Sequence, residues 1–434
     1  MTMINAFAGG QAGLSADDRT LLARREKVLG PAYRLFYETP LHIVRGEGVW
    51  LWDRDGRRYL DAYNNVASVG HCRREVVEAI SAQSALLNTH TRYLHEAPVA
   101  YAEALLQSFP RELGCLMFTC TGSEANDLAL RIAQAATGGV GLIVTATAYH
   151  GVTAAIAAAS PSLGPDNPLG PNVWAVPAPA GASAQGEIGP AFAAGVEAAL
   201  ADMKRRGVRP AALLVDTIFS SDGVLAEPAG FLAAAIAQVR AAGGLFIADE
   251  VQAGFGRTGE SIWGFARHGV APDLVTMGKP MGNGYPVAGV VARPEHLEAF
   301  GKKVRYFNTF GGSPVAVAAA QAVWDVIRRE RLASNSETMG RLLRDRIRAL
   351  AERRPQLGEV RGAGLFVGVD VVSSDGAPAA GAAVALVNRL RDSGVLISAT
   401  GPAGNVLKIR PPLVFASEHV NLLMEALESA LDGV

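Results

Sequence analysis

Cysteine is scarce in this chain. Only Cys72, Cys115 and Cys120 occur among 434 residues, without a CxxC pair. No disulfide framework follows from such a set, and the three are read as packing residues in a reducing compartment. An excess of charge of either sign is also missing. Lys and Arg total 40 against 41 Asp and Glu, a formal net charge of −1, which offers no electrostatic argument for nucleic acid or an acidic membrane. Apolar runs such as Ala154 to Ala159 fall far short of a bilayer span. The opening MTMINAFAGGQAGLSADD lacks a basic segment followed by an apolar one, so no secretory leader is read. These absences point to a cytoplasmic protein whose partners include neither nucleic acid nor membrane.

What the chain does have is apolar side chain, 49% of residues, enough for a large core in two or three lobes. The stretch from Leu245 to Met281 organises the reading. Leu245-Phe246-Ile247-Ala248 is short enough for a buried strand and ends on Asp249 and Glu250. A second apolar run, Asp273 to Met277, ends on Gly278-Lys279. Open α/β sheets build sites at the C-terminal ends of their strands, so an acid and a lysine delivered there suggest a pyridoxal phosphate pocket. Each residue alone has a plainer meaning, a solvated strand end for the lysine and a helix cap for the aspartate. The pair is more telling than either member.

In chain order, residues to about Pro40 read as an arm with one polar helix, Ala16 to Leu29. Gly48 to Leu60 alternates around Asp55-Gly56 as a hairpin, and Glu75 to Leu87 has helical periodicity. Thr121-Gly122-Ser123-Glu124-Ala125-Asn126 precedes a helix over Asp127 to Ala136. Small residues at a helix start leave N–H groups free for an anion, and the same residues make a capping box; taken alone, the two readings stand even. A strand, Gly141 to Thr145, leads to Ala148-Tyr149-His150-Gly151, where the aromatic either stacks on a flat ring or fills core. His150 lacks companions at metal-ligand spacing, so no metal site is read. Ser160 to Gly189, rich in Pro, Gly, Ala and Ser, reads as a long connection.

The strand Ala211 to Ile218, the helix Phe231 to Ala242 and the strand at Leu245 then alternate as a parallel sheet with crossover helices does. Gly254 to Gly259 satisfies GxGxxG, but it stands away from the strand and precedes no crossover helix. A dinucleotide site is therefore not read there. Past Lys279 come a turn, a strand over Val287 to Ala292, and Phe307 to Pro314 before a helix over 315–330. The rest comprises helix 334–352, two strands within Val360 to Val371, helix 380–392, a strand Val395 to Ser398, LKIRPPL and a final helix. It reads as a separate α+β unit.

Together these residues resemble the class III aminotransferases of fold type I. The resemblance rests on five blocks in order, TGSEAN, AYHG, FIADEVQAGFGRTG, MGKPMGNGYP and NTFGGSP, and it runs from the hairpin to the last helix. It implies an α/β fold with a mainly parallel seven-stranded sheet and a smaller α+β domain. Residues 1–65 would form the N-terminal arm and a hairpin belonging to the small domain, 66–314 the large cofactor domain, and 315–434 the C-terminal small domain. Pyridoxal 5'-phosphate is the implied cofactor. Lys279 would be its Schiff-base lysine and proton shuttle, and Asp249 the partner of its ring nitrogen. Gln252 would reach the ring's 3-oxygen, Val251 and Tyr149 would pack on its two faces, and His150 belongs to the same cofactor-binding block. Gly122 and Ser123 match the phosphate cradle, which Thr309 would complete from a neighbouring subunit, so the resemblance implies a homodimer with a shared site.

Two departures bear on the reaction. Typical amino-acid aminotransferases of the family carry an arginine where Lys408 stands in Leu407-Lys408-Ile409-Arg410-Pro411-Pro412, and a lysine does not grip a carboxylate in bidentate fashion. Asp216 to Gly223 also replaces a Glu-Pro-Ile-Gln-Gly run. Both departures resemble the branch with ethanolamine-phosphate and phosphohydroxylysine phospho-lyases. Lys408, Arg410, Arg92 and Arg257 are the candidate substrate contacts. The first expectation is transamination of a primary amine or amino acid with a keto-acid acceptor, through lysine-mediated proton transfer. The alternative is β-elimination of phosphate from an amino phosphate such as phosphoethanolamine.

Overall fold

The computed structural model describes residues 4–10, 13–179 and 188–433. Three antiparallel strands come first, β1 (Ile43–Glu47), β2 (Trp50–Asp53) and β3 (Arg58–Asp61). The turn between β2 and β3 places Gly56 at φ +81°, a left-handed conformation that glycine adopts without a Cβ penalty. Seven strands then form the central sheet: β4 (Cys115–Thr119), β5 (Gly141–Thr145), β6 (Val173–Val176), β7 (Pro210–Asp216), β8 (Leu245–Asp249), β9 (Leu274–Met277) and β10 (Ala288–Ala292). Their spatial order is β4-β10-β9-β8-β7-β5-β6, and β10 alone runs antiparallel to its neighbours. Every residue of β5, β9 and β10 is buried, as expected for strands covered on both faces.

Several elements differ from the sequence expectations. Edge strand β6 falls inside the stretch read as a plain connection, because Val-Trp-Ala-Val is short and half exposed. The end of that stretch, 180–187, lies outside the described residues. The helix expected from Asp127 starts at Gly122, where Thr121 Oγ1 accepts from Glu124 N at 3.1 Å and caps it. Helices Glu96–Leu106, Ile188–Arg205 and Pro294–Gly301 were not anticipated.

The C-terminal strands are β11 (Leu357–Ala363), β12 (Phe366–Val371), β13 (Val395–Leu396), β14 (Ser398–Thr400) and β15 (Val406–Ile409). One expected strand, Val395 to Ser398, is thus two: β13 pairs with β3, while β14 joins an antiparallel sheet ordered β11-β12-β15-β14. Through β13 the N-terminal hairpin shares a core with the C-terminal segments, Tyr59 and Leu60 packing with Ile347, Val367, Leu407 and Phe415. The helix Pro314–Arg329 instead buries Ala316, Ala320, Val323 and Ile327 in the main core with Phe246 and Val275. This arrangement brings the end of β15 against the C-terminal edge of the central sheet.

Candidate active site

A cavity of about 340 Å³ opens where the ends of β4, β5, β7, β8 and β9 converge. Gly122, Ser123, Tyr149, His150, Asp249, Val251, Gln252 and Lys279 all line it. Strand register explains the convergence. Asp216, Asp249 and Thr276 stand side by side across β7, β8 and β9, so consecutive strands release their side chains at one level.

Asp249 is buried, and three donors fix its carboxylate. Oδ2 accepts from Asn126 Nδ2 at 2.9 Å and from His150 Nδ1 at 2.7 Å, while Oδ1 accepts from Val251 N at 3.1 Å. Asn126 is itself held, since its Oδ1 accepts from Thr276 Oγ1 at 2.7 Å and its Nδ2 also donates to the His150 carbonyl at 2.8 Å. Asn126 was not singled out from the sequence. A polar residue on the buried Ala125, Leu128, Ala129, Ile132 face of a helix is the signal that finds it.

Beside Asp249, the first turn of the helix Gly122–Thr137 faces the cavity, and its leading N–H groups have no intrahelical acceptor. Packing there excludes side chains. A Cβ on Gly122 would come within 2.9 Å of Val251 Cγ2, and one on Gly151 within 2.5 Å of Ser123 Oγ. Bare N–H groups, a cap and close backbone suit a phosphate group, with Asp249 placed for the nitrogen of an attached ring and Val251 and Tyr149 for its faces. Lys279 follows β9 at the start of a short 3-10 turn. Burial, and then the neighbouring Arg410, push its amine below the ordinary lysine range, which favours the neutral, nucleophilic form.

The small sheet supplies the other end. Lys408 and Arg410 are each only 8% exposed. Lys408 Nζ donates to the Ser220 carbonyl at 3.0 Å, and Arg410 Nη1 donates to Gln252 Oε1 and, at 3.5 Å, to Asn65 Oδ1. The Arg410 guanidinium lies 4.9 Å from the centre of the Tyr63 ring, and its Nε has no partner among the described residues. Neither cation forms an ion pair among the described residues. Burial, and then Arg410, hold Lys408 well below the ordinary lysine range. Gln252 Nε2 donates to Ser220 Oγ at 2.5 Å, so this side chain bridges Ser220 and Arg410. The loop carrying Ser220 sits between Phe219 at φ +53° and Val224 at φ +64°. A β-branched residue in that region is strained, a feature common where backbone is fixed for function.

Three of the sequence candidates lie elsewhere. Arg257 is buried but turned away, its Nη1 donating to the carbonyls of Leu365, at 3.1 Å, and Pro411; it braces the segment after Arg410. Burial and the nearby Arg410 bring it down to about 9. Arg92 stacks on Phe307 with its guanidinium carbon 3.7 Å from the ring centre, in a separate pocket. Thr309 is exposed and does not line this cavity. Glu250, the neighbour of Asp249, points the other way. It accepts from Thr217 Oγ1 at 2.6 Å and from Gly264 N and Phe265 N at 2.7 Å, and burial pushes it up to about 7.

Comparison with known proteins adds three relatives. A family model described as aminotransferase class-III matches residues 35–431. A Drosophila melanogaster protein named alanine--glyoxylate aminotransferase 2-like is 38% identical over 448 residues, covering 99% of this chain and 91% of that protein. A Caenorhabditis elegans protein named ethanolamine-phosphate phospho-lyase homolog 1 is 36% identical, covering 95% and 93%. Among solved structures, a phospholyase from Arthrobacter in complex with phosphoethanolamine superposes with a TM-score of 0.93 at 45% identity, covering 95% of this chain and 100% of that one.

Proposed function

Because the chain belongs to the class III aminotransferase family, and is therefore a pyridoxal phosphate enzyme of fold type I, we propose that it eliminates phosphate from an aminoalkyl phosphate such as phosphoethanolamine. One observation carries this reading. Lys408 and Arg410 are buried basic side chains with carbonyl and amide acceptors and no ion pair among the described residues, placed beside the cavity that Lys279 and Asp249 line. Buried charge without a partner is costly, so the pair is arranged for an anion that arrives with the substrate. Two cations match a phosphate dianion in charge. The likeness to the phospholyase and to the phospho-lyase homolog supports the same reading.

Pyridoxal phosphate, when bound, supplies the electron sink that lets the amine-bearing carbon lose a proton. Gly122 and Ser123 would hold its phosphate, Asp249 its ring nitrogen, and Val251 and Tyr149 its ring faces. Lys279 Nζ takes the proton from the amine-bearing carbon of the substrate. Lys408 and Arg410 hold the phosphate on the adjacent carbon as its C–O bond breaks and the bonding pair leaves with oxygen. The products of phosphoethanolamine and water are then inorganic phosphate, ammonia and acetaldehyde. Thr309, exposed beside the exposed Phe310, is assigned to the cradle of a second copy, which makes a homodimer the functional unit.

Transamination, the first expectation from sequence, keeps the support of the relatives named alanine--glyoxylate aminotransferases. A paired assay separates the two. Phosphoethanolamine without any keto acid is expected to release phosphate, whereas simple amines with pyruvate are expected to yield little alanine. Alanine formed without phosphate release would overturn the phospho-lyase reading.

A further inference from the structure

One carboxylate in the cavity has no duty in that chemistry. Strand register sets Asp216 beside Asp249 at the ends of β7 and β8, and its side chain lines the same cavity. Its surroundings differ from those of Asp249. It accepts from two backbone groups, Ile218 N at 3.1 Å and Ser220 N at 3.0 Å, and forms no ion pair among the described residues. Burial, and then the charge of Asp249, raise its carboxyl above the ordinary carboxylate range, and the two N–H groups act against that rise. When ionised, Asp216 acts on the three basic groups around it, the amines of Lys279 and Lys408 and the guanidinium of Arg410.

A charge count, which rests on the phospho-lyase reading, shows what this carboxylate does. Asp249 is committed to the cofactor end by its three donors. Lys408 and Arg410 balance the two charges of a phosphate dianion. Asp216 is left facing the substrate, where it matches one ammonium. A carboxylate on the amine-bearing carbon would bring a further negative charge with no cation left to receive it. Arg257 is turned to the carbonyls of Leu365 and Pro411, and Arg92 lies in another pocket. We propose that Asp216 is a specificity-determining residue: it admits aminoalkyl phosphates and rejects their counterparts with a carboxylate on the amine-bearing carbon, by like-charge repulsion. The selectivity is a repulsive element built into the wall, not an added attraction.

The test uses purified enzyme loaded with cofactor, wild type and Asp216→Asn, with phosphoethanolamine and O-phosphoserine as the pair of probes. Both phosphate release and calorimetric binding are measured. The substitution keeps the side-chain shape and an oxygen for one of the two backbone donors, which use different carboxylate oxygens. Wild type is expected to bind phosphoethanolamine more tightly than phosphoserine, and Asp216→Asn to narrow that ratio by about tenfold or more through tighter binding of phosphoserine. A ratio that stays the same in Asp216→Asn would overturn the inference. Should the variant not fold, the wild type decides. The methyl ester of phosphoserine, neutral at its carboxyl, must then bind about tenfold more tightly than phosphoserine itself, and equal binding overturns the proposal. Absence of phosphate release from phosphoethanolamine by the wild type would defeat the phospho-lyase reading instead, however the variant behaves.

Discussion

The two ends of one cavity are built in opposite ways. At the cofactor end, Asp249 is saturated by Asn126, His150 and Val251, and Asn126 is fixed in turn by Thr276. At the other end, Lys408 and Arg410 rest on a carbonyl and an amide, with Arg410 Nε unpartnered. A carboxylate held by three fixed donors keeps its geometry whether or not a ligand is present. Buried cations without counter-ions are stabilised only when an anion enters. The contrast separates a ligand that stays from one that comes and goes.

The largest effect comes from Lys279, which serves both ends. Lys279→Ala is expected to lower turnover by about 10⁴-fold with cofactor still bound, since both the proton carrier and the nucleophile are lost. Phosphate release followed on the cofactor-saturated variant measures it, and near-normal turnover would remove Lys279 from the chemistry.

Breaking the cationic end alone gives opposite signs for function and stability. Arg410→Gln and Lys408→Met are each expected to weaken phosphoethanolamine binding by about 2 to 4 kcal/mol, seen mainly in KM. Lys408→Met is also expected to stabilise the substrate-free protein by about 1 to 3 kcal/mol in urea denaturation, because a buried amine without an ion pair among the described residues is replaced by an apolar chain of similar length. A destabilised Lys408→Met variant would mean that Asp216 and Asp222 already neutralise this lysine.

The sequence carried the cofactor end more completely than the anion end, for a physical reason. Asp249, Lys279, Gly122 and Tyr149 sit at strand ends or at a helix start, so local patterning announces them. Ser220 becomes visible only after strands far apart in sequence are brought together, and Asn126 is marked locally only as a polar residue on a buried helix face. Arg257 shows the converse. As an arginine in a glycine loop it reads as a substrate contact, yet tertiary packing turns it to the carbonyls of Leu365 and Pro411. Edge strand β6 was hidden by its Pro- and Gly-rich surroundings, and the helix Ile188–Arg205 was missed although it buries Phe192, Val196 and Met203.

The cofactor end can be sharpened with one methyl group. Gly122→Ala would place a Cβ within 2.9 Å and 3.0 Å of the two Val251 methyls, at the helix start that faces the cavity. Val251 or the helix must shift, at a cost of about 1 to 3 kcal/mol, so cofactor affinity should fall about tenfold or more. Absorbance titration of the cofactor measures this. Unchanged affinity would show that the cradle is looser than its packing implies.

The last effect lies outside the cavity and tests whether burial alone, without a ligand to serve, behaves as a plain stability term. His268 is buried, its Nε2 3.2 Å from the Thr217 carbonyl and its Nδ1 unpartnered, and burial lowers its pKa from 6.5 to about 4. Between those values the unfolded chain binds a proton that the folded chain refuses. The contribution is therefore fully present above pH 6.5 and lost as pH falls to about 4, a total of about 3 kcal/mol. Glu250 works in the opposite direction. Raised from 4.5 to about 7, it makes the folded chain the better proton acceptor and lowers stability as pH rises through that window. Wild type shows only the difference of the two, so the His268 contribution is read by subtraction. In His268→Gln, stability should fall less on acidification from pH 6.5 to 4 than in wild type, as followed by urea denaturation at each pH. Parallel curves would mean that this histidine takes up its proton in the folded state as readily as in the unfolded one.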